Sequence, residues 1–154
     1  LDVQKAAIAL IKPGISWEKL NYCAAEVMTV GLLKLGLLKG KKSILLKEQA
    51  YRVCFMHGLG HWLGLAVHDV GAMMENGQVR LFKPGMVLTI EPGIYVDVDM
   101  RLVDKKWRGI GIRIEDDVLV TKTGHHVLTA GIIKEPDAIE AMMAKARHNQ
   151  PITS

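Results

Sequence analysis

The sequence predicts an α+β fold in which helices flank a mostly antiparallel sheet. Three observations carry that expectation. Residues 1 to 53 place apolar side chains at helical spacing, Cys54 to Thr121 is rich in glycine with apolar residues that tend to alternate, and the last segment returns to a helical pattern. Of the 154 residues, 49% are hydrophobic, enough for one domain with a packed core.

The first helix is read in LDVQKAAIALIKPG, where Leu1, Ala6 or Ala7, Leu10 and Ile11 recur until Pro13-Gly14 stops them. No cap and no initiating Met precede it, so the expectation is a C-terminal piece of something longer. Ser16 suits an N-cap and Glu18 a first turn, with Leu20, Ala24, Val27, Met28 and Leu32 as the apolar stripe of a helix from about 17 to the Gly36 region. SILLKEQAYRV, residues 43 to 53, allows a second, shorter helix. In KEPDAIEAMMAKARHN, Pro136 fits the first helical position, Asp137 and Glu140 the N-terminal end, and Lys145 and Arg147 the C-terminal end.

Several function classes are excluded. The apolar runs are broken by Lys, Gly or His, so none would span a membrane. Cys23 and Cys54 form no CxxC pair, and no signal-peptide pattern is present, which together suit a reducing, cytoplasmic setting. The net charge is +4, and its densest run, Lys39, Lys41 and Lys42, has no interleaved aromatics and reads as a solvated loop rather than a nucleic-acid surface.

Three stretches could carry chemistry. HGLGHWLGLAVHDVG, residues 57 to 71, sets His57 and His61 four apart, but Gly58 stands where a helical HExxH motif needs Glu, and Gly58, Gly60 and Gly64 oppose a helix. The glycines suit a turning backbone with close approaches, and the histidines suit either metal or acid/base work or simple hydrogen bonding in a turn. In GMVLTIEPGIYV, Val87, Thr89 and Glu91 share one strand face, and Pro92-Gly93 then breaks the ladder. Glu91 there is either a rigidly held functional carboxylate or a solvated charge. In RGIGIRIEDDVLVT, Ile110, Ile112 and Ile114 form a face that wants a core, while Gly109, Gly111, Arg113 and Glu115 leave room beside two charges. One His and two Glu on or beside strands make an oxygen-rich metal set of the kind that suits Mn, Mg or Ca.

These three stretches, in this order, resemble the metallopeptidase family with the pita-bread fold, the creatinase and methionine aminopeptidase-like proteins. WRGIGIRIEDD and the closing LTAGIIKEPDAIEAMM are more similar to the aminopeptidase P (Xaa-Pro aminopeptidase) branch than to prolidase. The resemblance implies a curved, mostly antiparallel sheet with flanking helices, of which this chain holds the C-terminal part. It implies two Mn ions bridged by a water or hydroxide, with His61, Glu91 and Glu115 as metal ligands. His57 and His68 match catalytic and substrate-binding histidines, Arg113 a substrate-binding arginine, and Glu91 a ligand that also helps hold the proton of the nucleophilic water. The implied reaction releases the N-terminal residue from peptides with proline in second position, in a homo-oligomer.

The chain departs from that pattern. The family's two aspartate ligands have no match, since Asp2 sits in a helical context, and residues 72 to 80, AMMENGQVR, differ from the family's basic loop. The expectation is therefore that the 154-residue chain alone holds at most one ion weakly and is inactive. Prolidase and a non-catalytic peptide-binding module of the same fold are the rival readings.

Overall fold

Ser16 adopts extended backbone, and its hydroxyl accepts the Lys19 N–H at 3.3 Å, which starts helix α2 at Trp17 and lets it run to Lys34. It packs against α1, Asp2–Ala9, through Val3, Ala7, Leu20, Ala24, Met28 and Leu32. The computed structural model describes residues 1 to 148, and both helices lie where the periodicity puts them. Residues 43 to 53 do not form the single helix expected. Helix α3 covers Lys42–Lys47, Gln49 then takes φ 53°, and a short 3-10 turn follows over Ala50–Val53. A left-handed residue ends the helix, and hydrophobic periodicity does not register it.

Every strand pairing is antiparallel among the described residues. Strands β1 (Met74–Glu75) and β2 (Gln78–Val79) form an unpredicted hairpin in the 72 to 80 segment, turned by Asn76 and Gly77, both at positive φ. The Asn-Gly dipeptide was the signal for it. Strands β3 (Val87–Ile90) and β4 (Gly93–Tyr95) are separated by Glu91-Pro92; β5 (Gly111–Arg113) and β6 (Asp116–Val120) are separated by Ile114-Glu115. The alternating run at 108 to 121 is thus not one strand but two. β3 pairs with β6, β4 with β5, and β7 (His125–Val127) borders β6.

The register carries through the break: Ile90 faces Asp116 on one side and Gly93 faces Arg113 on the other. Glu91 therefore stands opposite Glu115, and Pro92 opposite Ile114. Proline cannot extend the ladder, so the pair of strands bends here and both carboxylates sit on the bend.

The core joins α1 and α2 to the sheet. Trp17, Trp62 and Phe82 make edge-to-face contacts at 5.4 to 5.7 Å, and Leu88, Ile90, Val118 and Val120 are buried beneath them. The isoleucine face of the third stretch does not enter that core. Ile112 is 58% exposed and Ile110 39%; β4 and β5 pair only with each other among the described residues, and these isoleucines line an apolar cavity with Val3, Met28, Leu37 and Trp107. Helix α4, Pro136–His148, begins at Pro136 as read from the sequence; the expected helical run extends to Asn149, which lies outside the described residues. No helix among the described residues is long and apolar enough to cross a membrane.

Candidate active site

Residues 55 to 71 contain no helix, as the glycines predict, and run instead along the free edge of β3. The Glu91 N–H donates to Leu59 O at 2.7 Å, Thr89 N–H to His61 O at 2.9 Å, and Leu63 N–H to Val87 O at 3.0 Å. Gly60 faces the Thr89 carbonyl so closely that a Cβ there would lie 1.9 Å from its oxygen. This is the close approach that the glycine-rich stretch predicts. It sets His61 beside Thr89, whose hydroxyl accepts the His61 N–H at 3.0 Å and donates to Glu91 Oε1 at 3.0 Å.

His61, Glu91 and Glu115 each offer a ligand atom, and the three atoms lie within 4.8 Å of one another. Glu91 is 9% exposed, so it is not the solvated strand-end charge of the alternative reading. His61 Nδ1 lies 2.9 Å from the Trp62 carbonyl, which only accepts, so that nitrogen carries the proton in the neutral ring. The Nε2 lone pair then faces Glu91 Oε1 at 3.3 Å. With the ring neutral, a lone pair and two carboxylates converge on one spot, with only Arg113 beside Glu91 to offset them, and a cation would be drawn there; with the ring charged, Nε2–H pairs with Glu91 instead. Glu115 registers the same crowding: burial, then the charges of Glu91 and Asp117, push its carboxyl above the usual range, against the opposing pull of His61 and Arg113. The donor set, one imidazole and two carboxylates, fits a divalent ion.

The other residues singled out from the sequence gather around this cluster. Arg113 Nη1 lies 3.5 Å from Glu91 Oε2, and its Nε donates to the Tyr95 hydroxyl at 2.7 Å. His57 Nδ1 donates to Gly58 O at 2.7 Å, leaving Nε2 to accept from the Tyr95 hydroxyl at 3.2 Å. The ring of His68, an exposed residue, stands edge-on to His61 with centroids 4.4 Å apart. Tyr95 and Thr89 were missed by sequence reasoning. Tyr95 had an indirect signal: Gly93 and Gly111 would each drive a Cβ into its ring, at 2.6 and 3.2 Å, so the unfavourable strand glycines mark a seat for an aromatic.

The model of metallopeptidase family M24 matches residues 1–122. The chain belongs to that family. Membership of a metallopeptidase family implies divalent metal ions, and the His61, Glu91, Glu115 group is a possible site. Xaa-Pro aminopeptidase of Escherichia coli K12 is 47% identical over 147 residues, covering 96% of this chain and 33% of the relative. The structure of Pseudomonas aeruginosa aminopeptidase PepP superposes with a TM-score of 0.93 at 47% identity, over 96% of this chain and 34% of that one. A zinc-substituted Escherichia coli aminopeptidase P in complex with product superposes with a TM-score of 0.88 at 46% identity, over 94% and 32%. This M24 chain therefore has part of the pita-bread fold, and it spans about a third of the length of the relatives it matches.

Proposed function

We propose that residues 1–154 are the C-terminal portion of the catalytic domain of a metal-dependent aminopeptidase that releases the N-terminal residue from peptides with proline in second position. The observation that carries this reading is the convergence of His61, Glu91 and Glu115 within 4.8 Å in a chain of a metallopeptidase family. Relatives named Xaa-Pro aminopeptidase favour it over prolidase. In this reading the parent protein holds two divalent ions, Mn2+ in the cell, with these three residues as this chain's share of the ligands. When bound, the ions supply Lewis acidity toward the scissile carbonyl and a water acidic enough to attack at neutral pH.

The chain's own side chains do the positioning and the proton work. Glu91, fixed by Thr89 and Arg113, takes up the proton of the attacking water. The bond to proline is a tertiary amide without an N–H, so its nitrogen must be protonated as it leaves; exposed His68, beside His61, is the acid for that step. Arg113, joined to His57 through the Tyr95 hydroxyl, stabilises charge on the substrate carbonyl oxygen with its remaining guanidinium N–H groups, and His57 binds the substrate beside it, donating from Nε2 when its ring is charged. Alone, the chain holds at most one ion weakly and turns over no substrate. Peptides, not nucleic acid or membrane, are its partners, and the protein acts in the cytoplasm as a homo-oligomer.

The test is hydrolysis by the parent polypeptide. Xaa-Pro-Yaa peptides are expected to be cut with Mn2+, spared after chelation and cut again on re-addition, with residues 1–154 alone inert. Cleavage of Xaa-Pro dipeptides only would move the reading to prolidase. No cleavage in any arm would leave the peptide-binding module. Tyr95→Phe removes the hydroxyl that links His57 to Arg113 while keeping the ring. It is expected to lower kcat/KM about 10-fold, the worth of one hydrogen bond to a charged group. An unchanged value would show that the link is idle in catalysis.

A further inference from the structure

Residues 128 to 135, LTAGIIKE, lie in the segment that resembles aminopeptidase P, yet none of them hydrogen-bonds to His61, Glu91 or Glu115 among the described residues. They close instead over the first residues of β6. Asp116 there is 3% exposed, and a carboxylate so placed needs partners. Its Oδ1 accepts from Thr129 Oγ1 at 2.5 Å and from Lys134 Nζ at 2.9 Å. The Lys134 ammonium also donates to the carbonyls of Thr129 and Ile132 at 3.2 and 2.9 Å, which commits all three of its protons. Thr129 Oγ1 accepts the Asp117 N–H at 3.0 Å, and the Leu128 N–H donates to Asp117 O at 2.8 Å.

The location of this network gives it a consequence. Asp116 follows Glu115 and pairs with Ile90, the residue before Glu91. Glu115 itself lies on the two-residue break, where the only internal tie among the described residues is the Ile114 N–H to Pro92 O, long at 3.3 Å. Its aim is therefore set from the two ends: by Arg113 paired with Gly93, and by Asp116. A start of β6 free to rock would swing Glu115 away from His61.

We propose that Asp116, Thr129 and Lys134 form a positioning clamp that fixes the backbone entering β6 and so aims Glu115 at the metal. Lys134 then governs metal affinity without touching metal or substrate. The inference rests on the metallo-aminopeptidase reading above. The experiment titrates Mn2+ alone into the parent polypeptide by calorimetry, well below the melting temperature of each variant, and measures Xaa-Pro-Yaa kinetics alongside. Lys134→Met and Thr129→Val are expected to raise the Mn2+ dissociation constant about 10-fold or more, the usual scale for partners that orient a metal ligand. At saturating Mn2+ the peptide KM stays as in the wild type. Thr129→Ser, which keeps the hydroxyl, restores affinity, and Lys5→Met, which breaks the exposed Lys5–Glu135 pair, leaves it unchanged. A lower melting temperature with unaltered Mn2+ affinity in the folded protein overturns the clamp and leaves a purely structural network. Where Lys134→Met does not fold, the Thr129→Val and Thr129→Ser pair decides. A wild type that binds no Mn2+ overturns the metal reading and the clamp with it; a wild type that binds, with variants that bind equally well, overturns the clamp alone.

Discussion

Glu115→Gln in the parent polypeptide is expected to lower kcat/KM on the order of 10^3-fold while leaving the metal-free protein as resistant to heat as the wild type, or more so. The two halves of this result have one cause. Glu115 has no hydrogen bond or ion pair of its own among the described residues, and it stands opposite Glu91 across the bend in the strands. Glu115 is exposed, yet partial desolvation and the charges of Glu91 and Asp117 outweigh the pull of His61 and Arg113 and push its carboxyl up. An acid whose folded-state value is raised favours folding in acid and loses that contribution as pH rises through the raised value. Near neutral pH the ionised group is therefore a cost to the fold, and the amide removes it. The same substitution takes from the cation one of the two carboxylates this chain offers it. Calorimetric melting with and without Mn2+ checks both halves. Wild-type melting should rise on adding Mn2+ by mass action, and the variant's should rise less at the same Mn2+ concentration. A variant that melts lower without metal would show Glu115 to be a structural ion-pair member instead.

Residue type and spacing offered one histidine of three and two carboxylates, Glu91 before Pro92 and Glu115 after an alternating run, each beside a purely structural reading; that His61 is the histidine of the set came only with the resemblance. Their convergence was legible only through resemblance. Nothing in alternation says that Arg113 and Asp116 belong to different strands, since a bend of two residues preserves the period of two on either side. Yet the bend is what turns Glu115 toward Glu91. The same limit explains the isoleucines. Ile110 and Ile112 share a face as read, but a face becomes core only if a second layer covers it, and layers are a property of the tertiary fold. Gln49 and Asn76 show the complementary case, where single left-handed residues end one element and turn another. The Asn-Gly pair advertised its turn, whereas Gln49 carried no such signal. Thr89 and Tyr95 stayed hidden for a different reason. A threonine and a tyrosine in a strand are what packing alone would choose, and only their hydroxyl partners mark them as part of the site.

Gly60→Ala carries the largest expected effect on stability. The added Cβ would lie 1.9 Å from the Thr89 carbonyl oxygen and 2.8 Å from its carbon, and both belong to backbone that cannot rotate away. Either β3 or the 59 to 63 segment must move by more than an ångström. Three backbone hydrogen bonds, from Thr89, Leu63 and Glu91, and a fourth from the His61 N–H to Thr89 Oγ1 tie those two stretches, and the shift strains all of them. Overpacking against a side chain typically costs about 1–3 kcal/mol; against a paired backbone, about 3 kcal/mol or more is expected, a large part of a small domain's stability. The damage also reaches the chemistry. His61 is oriented through its N–H to Thr89 Oγ1, and the same hydroxyl holds Glu91, so one displaced carbonyl misplaces two of the three metal-ligand candidates together. Urea unfolding should show the lost stability, and Mn2+ titration of the folded fraction a weakened affinity. Gly58→Ala is the control from the same stretch. Its Cβ would meet only Gly60 backbone at ordinary contact distance, 3.7 Å, so near wild-type values are expected. If both alanines behaved alike, the histidine-rich segment would not be seated on β3 through Gly60. If only Gly60→Ala fails, the division of labour in HGLGHWLGLAVHDVG follows: its glycine at 60 lets the segment dock on the strand, and its histidine at 61 is what the docking delivers.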